Sequence, residues 1–293
     1  MKKQSIFSGI ATALITPFNE NGIDTQRFEK QLERQLDAGI DALVVCGTTG
    51  EAPTLTDYEH IELIKRAVSF AGGKVPVIAG TGSNCTQHAV MMSIAAREAG
   101  ADALLTVTPY YNKANTAGLV KSYEAIANAA RLPIILYNVP SRTGMEIPFE
   151  AYEMLKDNAF IVASKEASPS IGRFGNLVSR FGNDFDFYCG NDEMTLPCFS
   201  LGGKGCISVL SNLLPEKTRE LYTLWQSGNT NEAQKLQLEL TPLIGALFSD
   251  VSPIPIKTVM AHFGLDSGIL RLPLCEMNKD KKDKLIAEAE KVY

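Results

Sequence analysis

Three stretches of the chain carry side chains able to attack, protonate or hold a carbonyl compound. One apolar run ends Ile161-Val162-Ala163-Ser164-Lys165-Glu166. Burying an unpaired ammonium is costly, so a lysine is seldom placed at the end of a buried strand without a use. A desolvated lysine gives up its proton more readily, and the free amine attacks carbonyl carbon. The competing reading is a lysine that reaches solvent or pairs with Glu166. A second run leads into Tyr137-Asn138-Val139-Pro140-Ser141-Arg142-Thr143-Gly144. Its phenol would stand over the mouth of a barrel, and its arginine can grip a carboxylate bidentately. Here the alternative is a core tyrosine beside a solvated arginine. The third stretch, Gly47-Thr48-Thr49-Gly50-Glu51, is a tight turn whose N–H groups can face an anion and whose hydroxyls can relay protons. An ordinary strand-to-helix turn would look the same.

Other chemistries lack their residues. The three histidines, His60, His88 and His262, are dispersed, so metal-assisted aldol chemistry has no ligand cluster. His60 and His88 lie in helical segments and read as surface residues. No G-x-S-x-G elbow for acyl transfer occurs. An amine, a phenol, a hydroxyl-bearing turn and a carboxylate-binding arginine together suit Schiff-base carbonyl chemistry, with no metal or other cofactor.

The elements that must position this set are legible as apolar runs. Gly9-Thr16, Ala42-Cys46, Val75-Gly80, Ala103-Val107, Ile134-Asn138, Phe160-Ser164, Phe185-Cys189 and Gly205-Val209 lack in–out alternation, as strands buried on both faces do. Helical periods separate them: Phe28, Leu32 and Leu36 after a capping Asp24; Ile61, Ile64 and Val68 after a Thr56/Glu59 capping box; Val90, Ile94 and Ala95; Val120, Tyr123, Ile126 and Ala127. Eight such units predict an α/β fold, a (β/α)₈ TIM barrel, ahead of a doubly wound sheet. The latter's G-x-G-x-x-G loop fails in Gly80-Thr81-Gly82-Ser83-Asn84-Cys85. After Pro215 the spacing is helical almost throughout, broken at Pro253 and Pro255, and a charged stretch Asn278-Lys284 leads into a last helix. This divides the chain into a barrel, 1–225, and a C-terminal helical extension packed on it, 226–293.

The 28 basic and 33 acidic residues give a net charge of −5 over 293 residues, with 45% hydrophobic and 21% charged. That balance argues against a nucleic-acid or anionic-membrane partner, each of which needs a concentrated basic face. The start, MKKQSIFSG, has no apolar segment after its lysines, and no apolar run reaches the ~20 residues a bilayer span requires. The six cysteines form no C-x-x-C pair and read as reduced thiols, mostly buried, of a cytoplasmic protein.

Taken in order, the Gly47–Glu51 turn, the Tyr137–Gly144 segment and Lys165 resemble the dihydrodipicolinate synthase family of pyruvate-dependent class I aldolase barrels, from about Gly9 to the C-terminus. The resemblance implies condensation of pyruvate with L-aspartate 4-semialdehyde through a lysine imine. It implies that Lys165 forms the imine, that Tyr137, Thr48 and Tyr111 relay protons with Tyr111 reaching in from a neighbouring subunit, and that Thr49 and the Ile207 backbone contact pyruvate beside Gly190. It gives Arg142 the semialdehyde carboxylate, and it implies a homotetramer of two tight dimers. Positions of lysine-inhibited relatives match Ala52, Pro53, His60, Asn84, His88 and Tyr110. Inhibited forms carry Glu where this chain has His88. A lost charged partner typically contributes ~1.5–3 kcal/mol, so lysine is expected to be a weak effector. A sugar-acid lyase or aldolase of the same superfamily, and a non-catalytic ligand-binding barrel, are the other readings.

Overall fold

A computed structural model describes residues 3–293. The apolar runs form eight parallel strands, β1 Gly9–Ala13, β2 Ala42–Val45, β3 Val77–Gly80, β4 Ala103–Val107, β5 Ile134–Asn138, β6 Ile161–Glu166, β7 Asp186–Cys189 and β8 Gly205–Ser208. Each pairs with its sequence neighbours, and β1 closes the cylinder against β8, with Gly9 opposite Gly205 and Ala11 opposite Ile207. The sheet therefore has no edge. Helices α1 Thr25–Asp37, α2 Asp57–Ala71, α3 Thr86–Glu98, α4 Thr116–Ala130, α5 Phe149–Leu155, α6 Ile171–Phe181, α7 Thr195–Ser200 and α8 Pro215–Gln226 follow the strands in turn. The Asp24 side chain accepts the Arg27 N–H, and Thr56 and Glu59 form the reciprocal capping box.

Two apolar layers hold this together. Between sheet and helices, residues such as Leu32, Leu63, Tyr123 and Phe174 are buried with the outward faces of the strands. On α3 the buried face is Ala89, Met92, Ser93 and Ala96, one step away from the Val90–Ile94–Ala95 stripe read from the sequence. Small residues there let the helix approach the sheet. Inside the cylinder, Ala11, Ala42, Ala103 and Ala163 leave room that Tyr188 and Phe7 fill, their rings stacked 4.2 Å apart. The Tyr188 hydroxyl donates to the Phe7 carbonyl (2.9 Å), so the N-terminal segment seals the floor of the barrel.

Beyond the barrel, α9 Thr230–Leu247, α10 Ile254–His262 and α11 Lys279–Ala289 bury a separate cluster including Leu243, Ile256 and Leu285 against Ile15, Val209 and Leu210. Pro253 and Pro255 do more than break a helix: Pro253 precedes α10 and Pro255 sits in its first turn, where a missing N–H costs nothing. The charged stretch lies within α11, which Asn278 caps. No helix of the described residues is long and apolar enough to cross a membrane.

Candidate active site

Strand β6 runs two residues beyond Ser164, which brings Lys165 into the sheet opposite Tyr137 of β5. Both side chains are buried, 6% and 7% exposed, and the lysine Nζ lies 4.4 Å from the centre of the tyrosine ring. The next pair, Asn138 and Glu166, is also in register but points outward. There the Glu166 carboxylate accepts both Asn138 Nδ2 contacts (2.9 and 3.0 Å), the Ser168 N–H (2.7 Å) and Arg173 Nε (3.0 Å). Pairing of Lys165 with Glu166 is thus overturned: strand alternation puts them on opposite faces. The other fully buried carboxylate near the mouth, Glu51, is held by Lys257 at 2.6 Å. Neither acid is left for Lys165.

Room for the lysine comes from Gly190, just past β7. A Cβ there would stand 3.0 Å from Lys165 Cε and 2.6 Å from the Ala167 Cβ. Ile207, on β8, is 1% exposed within the same interior. Asp192, also buried, accepts the N–H groups of Val209 (2.9 Å) and Leu210 (3.0 Å). Burial pushes its pKa up, while these bonds, one from Ser208 and the charge of Lys165 pull the other way.

The Thr48–Thr49 turn follows β2. Cys46 and Glu51 flank it in left-handed backbone (φ 56° and 53°), an unusual conformation for residues with side chains. Its internal bonds use the N–H groups of Gly50, Glu51 and Ala52, which donate to the carbonyls of Gly47, Thr48 and Gly47. The N–H groups of Thr48 and Thr49 take no part in those bonds. Thr48 opens onto a cavity of about 420 Å³ that it shares with Val107, Tyr137, Val139 and Arg142, and that extends to His60, His88 and Tyr110. Arg142 sits on a short helical turn, Pro140–Thr143, at the exposed rim, and its Nη2 donates to the Ser252 carbonyl (2.9 Å).

Not every expected residue gathers here: Thr48, Tyr137 and Arg142 line the cavity, whereas Lys165 lies behind the Tyr137 ring and neither it nor Thr49, Gly190 or Ile207 is in the lining. Tyr111 is 92% exposed, with a φ of 67°, and within one chain it stands apart from the cavity. Asn84 also lies outside the lining, its carbonyl accepting from Asn112. His60 is no surface residue: it is 8% exposed, on the inner face of α2, and its Nε2 donates to the Gly80 carbonyl (2.7 Å). Burial lowers its pKa; the Gly80 bond and Asp57 oppose that shift. His88 pairs with Asp57 at 3.0 Å on the exposed side. Cys46, Cys189, Cys198 and Cys206 are buried free thiols, whereas Cys85 and Cys275 are exposed. Among the described residues, no three His, Cys, Asp or Glu side chains converge as metal ligands.

No motif in the sequence singles out Asn138, Arg173, Tyr188 or Phe7. A signal existed for the first: a polar residue adjoining Tyr137, at a strand position whose neighbours all face apolar layers, must have a buried partner. Nothing local announces that Ser252, 110 residues away, supports Arg142.

A closed parallel barrel with an amine and a phenol side by side at its inner mouth defines the class of (β/α)₈ enzymes that work through a lysine imine. The sequence matches the profile of the dihydrodipicolinate synthetase family over residues 6–292. It is 46% identical over 291 residues to 4-hydroxy-tetrahydrodipicolinate synthase of Acetivibrio thermocellus, covering 99% of both chains. Its structure superposes on the crystal structure of dihydrodipicolinate synthase from Aquifex aeolicus with a TM-score of 0.95, at 41% identity and over 97% of this chain and 98% of that one. The corresponding values are 0.93, 36%, 98% and 99% for the chloride-inhibited enzyme of Acinetobacter baumannii, solved in complex with pyruvate. The chain belongs to the dihydrodipicolinate synthetase family.

Proposed function

We propose that the protein condenses pyruvate with L-aspartate 4-semialdehyde to 4-hydroxy-tetrahydrodipicolinate in lysine and diaminopimelate synthesis. The observation that carries this reading is the buried Lys165 amine, set over the Tyr137 ring and in salt bridge with no carboxylate, Asp192 acting on it only through its charge. In this reading the neutral Nζ attacks C2 of pyruvate, the carbinolamine loses water, and the resulting iminium draws electrons from C3. Loss of a C3 proton then gives an enamine, whose carbon attacks the aldehyde carbon of the second substrate; the amino group of that substrate then attacks C2, closing the ring and expelling Lys165 as the free amine. Tyr137 and Thr48 pass the protons released and consumed, with Tyr111 completing the relay from a second copy of the chain. The free N–H groups of the turn at Thr48 and Thr49, the Ile207 backbone and the space at Gly190 receive the pyruvate moiety. Arg142 holds the semialdehyde carboxylate at the rim. The only covalent partner is pyruvate itself, so the chemistry calls for no resident cofactor.

The working form is a cytoplasmic homotetramer built from two tight dimers, in which residues 226–293 act as an extension that braces the barrel, 1–225. Lysine is a weak effector at His60, Asn84, His88 and Tyr110, because His88 supplies no carboxylate for its ammonium. Half-inhibition at submillimolar lysine would overturn that part. The decisive test of the function is borohydride reduction in the presence of pyruvate, followed by mass mapping. Label on the peptide holding Lys165, with turnover of the semialdehyde, supports the reading. Label elsewhere, or turnover of N-acetylneuraminate or 2-keto-3-deoxygluconate in place of the semialdehyde, defeats it. For Tyr111, mixed oligomers of Tyr111→Phe and Lys165→Met chains should regain activity, since some sites then hold both intact residues.

A further inference from the structure

The last residue of the Gly47–Glu51 turn has no part in the chemistry above, yet it is among the most constrained groups in the molecule. The Glu51 side chain is fully buried, as is that of Lys257 on α10, and their charges meet at 2.6 Å. The second Glu51 oxygen accepts the Arg271 N–H at 3.1 Å. The Lys257 ammonium also donates to the Thr16 carbonyl (2.9 Å) and stands 4.4 Å from the centre of the Phe18 ring. Thr16 in turn donates its hydroxyl to the Gly50 carbonyl at 2.7 Å. The turn is thus bolted from behind at two successive residues, Gly50 and Glu51. A buried ion pair is weak evidence for stability, because desolvation consumes most of its Coulombic gain, and apolar replacements are often neutral. What this pair does is fix the turn. Glu51 is left-handed, its N–H closes the turn onto the Thr48 carbonyl (3.1 Å), and Gly50 is packed so closely that a Cβ would stand 3.2 Å from the Leu14 carbonyl. Five residues before Lys257, the Ser252 carbonyl holds Arg142.

We infer that Lys257 is a positioning residue for the condensation: through Glu51 it holds the Thr48–Thr49 turn in its working geometry, so that the start of α10 supports both the hydroxyl turn and the rim arginine. This rests on the reading that Thr48 and Thr49 meet the substrate.

Because removing one partner strands a buried charge, the test uses the double variant Lys257→Met/Glu51→Gln, which removes both charges of the pair; buried Asp266, which Lys257 also attracts, keeps the Gly268 N–H at 3.0 Å. A second variant, Leu243→Ala, opens a cavity in the C-terminal cluster without touching the turn. The double variant should unfold near the wild-type temperature yet lose about 10²-fold in kcat/KM for pyruvate, the scale of a misplaced reacting group. It should still trap pyruvate slowly at Lys165, and its KM for the semialdehyde should change little. Leu243→Ala should lower the unfolding temperature and leave the kinetic constants of the folded enzyme intact. Wild-type kinetics in the folded double variant overturn the inference, as does failure of the double variant to fold while Leu243→Ala folds, which makes the pair structural alone. Thr48→Ala and Thr49→Ala separate the two levels. If both keep wild-type constants, the reading of the turn itself fails; if they are impaired while the double variant is not, only the role of Lys257 falls.

Discussion

Tyr137 and Lys165 face the inside of the barrel, whereas Asn138 and Glu166, one residue further along the same two strands, face the helices. The outer pair is saturated: Glu166 accepts from Asn138, Ser168 and Arg173, Asn138 Oδ1 accepts the Ile147 N–H at 2.9 Å, and Arg173 donates also to the Ile147 carbonyl. The inner pair has a ring under an amine, with buried Asp192 acting on that amine only through its charge. Both pairs are buried, so the contrast comes from partners alone. A buried polar group that is fully bonded fixes the backbone beneath it, and one left without a counter-charge is held at a cost that only use can justify. The outer network keeps the ends of β5 and β6 level, and the inner pair inherits that alignment. Rigidity and reactivity are thereby assigned to opposite faces of the same strands.

Mutations on the two faces should consequently have opposite signatures. Lys165→Met should lower kcat by on the order of 10⁴-fold or more, since it removes the amine proposed to form the covalent adduct. It should at the same time raise the unfolding temperature, because a buried polar amine without a salt-bridge partner gives way to an apolar side chain. A lower unfolding temperature would mean that the lysine is stabilising after all. Tyr137→Phe deletes one hydroxyl and keeps the ring; a kcat loss of about 10³-fold with an unchanged melting curve is expected from a proton-transferring group. On the outer face, Glu166→Ala takes the acceptor from Asn138, the Ser168 N–H and Arg173 Nε, while Arg173 keeps its pair with Glu146 at 3.1 Å, and it should cost at least about 1–3 kcal/mol in denaturant unfolding, the penalty of a buried donor left without its acceptor. If Glu166→Ala proved as stable as the wild type, the outer network would not be the scaffold described. Arg142 belongs to neither face, being exposed at the rim. Arg142→Ala should raise the KM for the semialdehyde about 10- to 100-fold, the worth of a charged hydrogen bond, with pyruvate labelling of Lys165 unaffected. An equal loss of pyruvate labelling would show that its carboxylate contact had been assigned to the wrong substrate.

Much of this arrangement was readable from the chain because its signals are local. The strand runs lack alternation since both faces are covered, and that same property placed Ile134–Asn138 to the residue. Lys165 stood out because charge is rare at such a position. What sequence patterns did not reveal depends on distant partners or on fine geometry. The buried face of α3 is carried by Ala89, Ser93 and Ala96, small residues that hydrophobic counting passes over. Arg142 rests on Ser252 and Glu51 on Lys257, contacts made only once the C-terminal helices have docked. Tyr111 is the reverse case: the single chain leaves it exposed, so the relay role proposed for it requires a contact between copies.

His60 sharpens the comparison at its mildest end, as a buried titratable group whose bond to the Gly80 carbonyl is made in either protonation state. Burial, the dominant influence, holds its pKa below 6.5, with the Gly80 bond and Asp57 opposing and His88 adding to the depression. The sign follows from linkage. Between its folded pKa and about 6.5 the unfolded chain binds the proton that the folded chain refuses, so stability rises with pH across that window and falls as the solution is acidified from 6.5. His60→Gln keeps a donor for Gly80 and cannot titrate. Unfolding curves taken in steps from pH 7.5 to 5.5 should therefore fall more steeply for the wild type than for His60→Gln. Parallel curves would place the acid sensitivity on other groups and show that His60 is as indifferent to its proton as Asn138 is.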